Sequence, residues 1–365
     1  MNYQNNKANY EKTSIKPLRH GGNLTDAIQA YGGSHNDWLD LSTGISPWSY
    51  PIASIDQSLW HTLPPKPAAL ISSASKYYNC DSANLTVTPG SQLAIRLIPT
   101  FVESKQTVAV PLIGYQEHEY AWQLAGHSVV RYRNKEELTN LVITNTVENV
   151  VIINPNNPSY EVYEAVQLRS LAKQLSGLLI IDEAFIDLDP RNSLSSDTGL
   201  KNIIVLRSIG KFFGLAGARI GFVITQNRIG EKITRLFDPW SISAPSQTIA
   251  EMALNDRDWQ SRQRIKICSQ TIVLNELLIN LKHHSKLNYV HHCEGLFATL
   301  FGLRTTIEKI HSQLAQNKIW ARLGDPYIDI SSSNSRTMAP EQNWLRLSLP
   351  GDNFDRLAQT FNHIS

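Results

Sequence analysis

Residues 203–221 read IIVLRSIGKFFGLAGARIG. Four aliphatic residues run straight into Ser208, Ile209, Gly210 and Lys211, too short a run for a buried helix and the right length for a strand covered on both faces. Working outward, the pattern repeats. LLII at 178–181 ends on Asp182, VVII at 150–153 ends on Asn154-Pro155-Asn156-Asn157-Pro158, VAV occupies 108–110, and LTV precedes Thr88 and Pro89-Gly90-Ser91-Gln92. Longer amphipathic segments separate these runs, so the order predicts an α/β domain with a mostly parallel central sheet and helices as crossovers. Ligands of such sheets sit beyond the carboxyl ends of the strands, which is where these polar residues fall.

Each segment brings a different chemical group. Gly90, Ser91 and Gln92 join a strand to a helix, where free N–H groups favour an anion. The two prolines of NPNNP predict a rigid turn from which Asn157 projects. Asp182 ends an apolar strand, where burial raises a carboxyl pKa unless a cation meets it. Lys211 lies among Gly210, Phe212, Phe213 and Gly214, with Arg219 eight residues on. A phosphate loop ending at Lys211 would need glycine at Val205 and Ser or Thr at Phe212, and the following glycines lack dinucleotide-fingerprint spacing.

Beyond about residue 240 the character changes. Residues 246–281 read as helical, with Ile249, Met252, Ala253, Ile265, Ile267, Ile272, Leu274, Leu277, Leu278 and Leu281 as apolar positions. An α+β unit follows, with strands expected near 296–301, 319–322 and 344–349, a helix near 306–317, and a terminal helix from Asn353. The polar opening, residues 1–16, reads as a mobile arm. The expected division is an arm and covering segment at 1–45, a large α/β domain at 46–245, and a small C-terminal domain at 246–365.

With 34 Lys and Arg against 32 Asp and Glu, the 365-residue chain carries a formal charge of +2 and no block of like charge, so neither nucleic acid nor a membrane surface is an expected partner. A small molecule is. No apolar run reaches the length of a membrane span and the opening lacks a signal-peptide centre, which reads as a cytoplasmic protein. Cys80, Cys268 and Cys293 are expected as buried thiols. His283, His284, His291 and His292 beside Cys293 read as solvated surface, so no metal is expected.

Asn157, Asp182, Lys211 and Arg219, in this order and context, resemble the fold-type I pyridoxal-phosphate enzymes of the class I/II aminotransferase branch, near the histidinol-phosphate aminotransferases. The resemblance spans roughly residues 17–357. More narrowly, HGGN at 20–23, LDLSTGISP at 39–47, DEAFID at 182–187, RSIGKFFGLAGARIG at 207–221 and LRLSLPG at 345–351 resemble the cobalamin-pathway L-threonine-O-3-phosphate decarboxylases. The resemblance implies pyridoxal 5'-phosphate as cofactor, a small phosphorylated amino acid as substrate, and a homodimer. It implies that Lys211 carries the cofactor and moves protons at Cα, and that Asp182 pairs with the pyridinium nitrogen. By the same resemblance Asn157 meets the ring's phenolic oxygen, Gly90, Ser91, Ser208 and Arg219 bind the phosphate, and Gln92 is a further cofactor contact. Tyr115 and His118 compete for the ring face, His118 aligning better. Arg346 resembles the arginine that forks onto the substrate carboxylate, and Arg322 one that meets its other anionic end. His20 and Gly22 lie in the segment that family members fold over the substrate, and the resemblance implies that they, with Ser46 and Asn157, contact it. Ser46, Gly210 and Phe185 replace the family's usual Asn, Thr or Ser, and Tyr; the missing tyrosine hydroxyl favours the decarboxylases over the aminotransferases.

Overall fold

The computed structural model describes residues 18–52, 54–102, 105–197, 201–285, 289–324 and 341–364. The expected arm at 1–16 lies outside them. A two-residue strand, β1 (Leu39–Asp40), precedes the large sheet of β2 (Leu85–Thr88), β3 (Thr107–Pro111), β4 (Ser128–Tyr132), β5 (Asn149–Ile153), β6 (Leu179–Asp182), β7 (Ile203–Ser208) and β8 (Gly221–Ile224). These seven lie in the order β2-β8-β7-β6-β5-β3-β4. All neighbours run parallel except β8, which is antiparallel to both β2 and β7. The carboxyl ends of β2, β5, β6 and β7 therefore share one edge, and it gathers Gly90, NPNNP, Asp182 and Ser208.

Successive side chains of a strand point to opposite faces. On one face Val150, Ile152, Leu179, Ile181, Ile203 and Val205 join the main core; on the other Val151, Ile180, Ile204 and Leu206 form a second. Burial on both sides is why these strands read as unbroken aliphatic runs rather than as alternation.

The C-terminal unit is an antiparallel sheet, β12-β13-β10-β9, made from β9 (Tyr289–Glu294), β10 (Phe297–Leu303), β12 (Arg322–Leu323) and β13 (Gln342–Ser348). The strand expected at 319–322 is divided: β11 (Ile319–Trp320) leaves that sheet to pair in parallel with β1, and only β12 pairs with β13. Helix Leu24–Tyr31 packs beside this pair through Leu24, Ala27, Trp38 and Ala315, so part of the N-terminal segment is carried by the C-terminal unit.

The helical stretch is two helices, Ala244–Asn255 and Arg257–Ser285. Asp256 divides them without glycine or proline, because its carboxylate accepts from Trp259 N at 2.9 Å and caps the second helix. Ile267, Leu274, Leu278 and Leu281 form its buried stripe, while Ile265 (71%) and Ile272 (61%) are exposed. Cys268 is exposed on the same helix and Cys80 and Cys293 are half-buried, a correction to the expectation of three buried thiols. His291, His292 and Cys293 lie on β9, an edge strand, and His291 Nε2 sits 2.9 Å from Asn275 Oδ1. Among the described residues no helix is long and apolar enough to cross a membrane.

Candidate active site

A cavity of about 330 Å³ opens at the shared strand edge, between the large sheet and β12 and β13. Its floor is built by β2, β7 and the turn before β8. Gly90 holds φ +80°, and a Cβ there would lie 2.5 Å from Arg219 Nη2, so only glycine lets the turn into helix Ser91–Leu97 approach the guanidinium. Ser91, Ser208 and Arg219 also line this end. Arg219 makes no ion pair with an acid among the described residues, and its Nη1 donates only to Ala216 O at 3.1 Å.

Asp182, the last residue of β6, is buried at the centre. Its Oδ1 accepts from Ala184 N at 3.1 Å and its Oδ2 lies 3.0 Å from His118 Nε2. His118, 2% exposed, stands behind this carboxylate and does not line the cavity, whereas Tyr115 does. The better alignment of His118 with a ring-facing aromatic is thus not matched by its position: a carboxylate this deep takes a hydrogen-bond partner from the adjoining helix, and His118 is that partner. Tyr115 is held by its hydroxyl, which donates to Gln92 Oε1 at 2.8 Å.

Lys211 Nζ faces Asp182 across the cavity, donates to Thr43 O at 3.2 Å and lies 5.4 Å from the centre of the Phe185 ring. Burial, with Arg346 adding to it against the pull of Asp182, lowers its pKa to about 8 from the ordinary 10.5. A lowered base is neutral above its folded pKa, so about a tenth of Lys211 is unprotonated at pH 7 and about nine-tenths at pH 9. The rate at which an added aldehyde couples to this amine should therefore rise about tenfold between those pH values and level off above pH 9. A rise that continued to pH 10.5 would mark an unperturbed lysine.

Two arginines close the opposite wall. Arg322 on β12 and Arg346 on β13 are direct cross-strand partners, so both project from one face of the sheet. Arg346 is buried; its Nη1 donates to Asn157 Oδ1 and its Nη2 to Ser42 O, while its Nε has no partner. Burial and the neighbouring Arg322 lower its pKa to about 10, which leaves it charged at neutral pH. Two guanidiniums side by side are a receptor for anions. Asn157 is presented by the NPNNP turn, which Thr299 of β10 anchors by donating to Pro158 O at 2.6 Å.

Residues 18–21 lie over the cavity, with His20 among its lining. Arg322 Nη2 donates to Arg19 O at 2.9 Å, and Gly22 N donates to Ser42 Oγ at 2.8 Å. Gly22 itself is exposed and not among the lining residues. Ser46 is buried away from the lining, a correction to its expected substrate contact: its Oγ donates to Trp48 O at 3.0 Å and accepts from Gln263 Nε2 at 2.8 Å, while its N–H bonds Lys211 O at 3.0 Å. It braces the lysine's backbone. Sequence reading missed Ser42, Thr43, Glu117 and Trp344, which line the cavity through contacts between chain segments far apart.

The DEAFID loop is fixed from below. Arg207, buried, donates from Nη2 to Asp187 Oδ1 at 2.6 Å and from Nη1 to Glu183 Oε2 at 3.1 Å. Removing one partner of a buried ion network strands the others, at a typical cost of about 3–5 kcal/mol. Arg207→Leu should lose that much in urea denaturation, and a loss below about 1 kcal/mol would deny the network its part in holding Asp182 in place.

Residues 50–361 match the family model of class I and II aminotransferases. A threonine-phosphate decarboxylase of Pseudomonas aeruginosa is 36% identical over 264 residues, 72% of this chain and 78% of that protein. A histidinol-phosphate aminotransferase of Rippkaea orientalis is 26% identical over 232 residues, 61% of this chain and 67% of that one. Among solved structures, the histidinol-phosphate aminotransferase from Sinorhizobium meliloti in complex with pyridoxal-5'-phosphate covers 98% of both chains with a TM-score of 0.79 at 19% identity, a likeness of fold.

Proposed function

The chain belongs to the class I and II aminotransferase family and is a pyridoxal-phosphate-dependent enzyme, and on that premise we propose that it decarboxylates L-threonine O-3-phosphate to (R)-1-aminopropan-2-yl phosphate. The residues present fit the cofactor. The acid-free Arg219 and the Gly90 turn suit its phosphate, buried Asp182 its ring nitrogen, the ring of Tyr115 one face, and Lys211 its aldehyde. When bound, pyridoxal phosphate supplies an electron sink for the pair released at Cα of an attached amino acid.

The observation that carries the substrate assignment is the Arg322 and Arg346 pair facing Lys211 across one cavity. Arg346 clamps the carboxylate with the edge of its guanidinium that lines the cavity. Arg322 and His20 take the phosphate several bonds away. Holding both ends fixes the rotation about Cα, which decides whether the carboxylate or the hydrogen stands perpendicular to the ring. As carbon dioxide leaves, one proton must enter at Cα, and the Lys211 amine is placed to deliver it. Phe185 places a ring rather than a phenol beside Lys211, in keeping with the decarboxylase reading, as does the 36% identity to a protein named for that reaction. The reading carries with it a cytoplasmic homodimer serving cobalamin biosynthesis.

The second reading is transamination of histidinol phosphate, which would use the same cofactor groups and is favoured by the relatives of that name. Comparing substrates tests the assignment. Carbon dioxide release should favour threonine phosphate over threonine by at least about 100-fold, the worth of about 2.7 kcal/mol from a charge-assisted contact to phosphate. Equal rates on the two would remove the phosphate from the reading.

A further inference from the structure

We propose that Glu117 is a positioning residue that latches the covering segment by holding His20 over the cavity, and so sets the enzyme's grip on the distal anionic end of its substrate; this rests on the reading of His20 as a substrate contact. Glu117 opens helix Glu117–Leu124 on the cavity wall. Its side chain is 3% exposed, against 48% for that of His20. Oε2 is satisfied from within the large domain, accepting from Arg96 Nη2 at 2.5 Å and Gln92 Nε2 at 2.6 Å. Oε1 has a different partner, His20 Nε2 at 3.0 Å.

That division is the basis of the latch. Arg96 and Gln92 hold the carboxylate whether or not the segment is down, and a half-exposed histidine contributes little to the core. If the segment lifts, Oε1 exchanges the His20 N–H for water, so the contact contributes the net worth of one charge-assisted hydrogen bond to closure. Closure is therefore favoured by a group already paid for by the fold. Three further contacts agree with one docked position. Arg322 bonds Arg19 O, Gly22 N bonds Ser42 Oγ, and a Cβ at Gly21 would fall 2.1 Å from Ser42 O, so the segment lies flush on the residue whose carbonyl Arg346 holds. With Nε2 donating to Glu117, the His20 ring is fixed 6.4 Å from that of Tyr115. Nδ1 makes no hydrogen bond among the described residues, and in the doubly protonated ring it donates to the substrate's anionic end while Nε2 donates to Glu117.

Two measurements on the full-length holoenzyme test this. Trypsin cleavage between Arg19 and His20, followed by peptide mapping without substrate, reports docking of the segment. Glu117→Gln and His20→Gln should each speed it about tenfold or more. Cleavage as slow as in the parent, in either variant, would overturn the latch, and His20→Gln changes only an exposed side chain if Glu117→Gln fails to fold. In the second measurement, kcat/KM for threonine phosphate is compared across both single variants and the double variant. Each single change should cost about tenfold, mainly in KM, and the double variant should be no worse than His20→Gln alone. Losses that simply multiply would mean that the two residues act apart. Because cleavage is read without substrate, absence of carbon dioxide release from the parent would overturn the reaction assignment while the latch remained open to its own test.

Discussion

Lys211→Ala is expected to slow carbon dioxide release from threonine phosphate by about 10³-fold or more, the combined loss of a covalent attachment point and a proton carrier. The visible absorbance of the bound cofactor should go with it. The scale follows from the site: Lys211 is the one lysine among the cavity-lining residues described, its backbone is held by Ser46 and Gly214, and its amine is brought towards neutrality by burial. Adding a small primary amine should restore part of the rate, since a free amine can replace the chemistry and not the tether. Stopped-flow assay of the variant at saturating cofactor checks this; activity within tenfold of the parent would place the attachment elsewhere.

Arg346→Ala should reduce kcat/KM for threonine phosphate by about 100-fold or more, equivalent to about 2.7 kcal/mol of charge-assisted bonding. Arg346→Lys should recover little. The guanidinium bonds Asn157 and Ser42 while also lining the cavity, a fork that one ammonium cannot reproduce. Arg322→Ala should fall more heavily on phosphorylated than on unphosphorylated substrates, because Arg322 is assigned to the other end. Steady-state kinetics of the three variants separate these roles, and an Arg346→Lys enzyme with parental kcat/KM would contradict the clamp.

What could be read from sequence follows the physics of each element. The strands from 150 to 206 were legible because burial on both faces demands unbroken aliphatic residues, and their polar ends because a strand edge is where such residues have work. β9 was not legible. Its Tyr-Val-His-His-Cys-Glu alternates inward and outward positions at a sheet edge, with half-buried His291 beside exposed His292, so in sequence the pair resembles an ordinary polar surface. β1 and β11 pair over two residues each, too short for any pattern. Asn157, Asp182 and Lys211 announce themselves by local context, Arg322 and Arg346 only through the family resemblance, and all five line the cavity. Ser46 and His118 did not reveal their positions, because the partners that draw them off the cavity, Gln263 and Asp182, belong to other elements. Glu117 was missed for the same reason: only the fold brings His20 to it.

The most direct test is a carbon balance on threonine phosphate in a single turnover, with no 2-oxo acid present. One carbon dioxide should appear for each substrate consumed, aminopropanol phosphate should accumulate, and the cofactor should return to its starting absorbance. Recovery of the cofactor in its aminated form, with a 2-oxo acid as product and no carbon dioxide released, would contradict the decarboxylase assignment and establish transamination in its place.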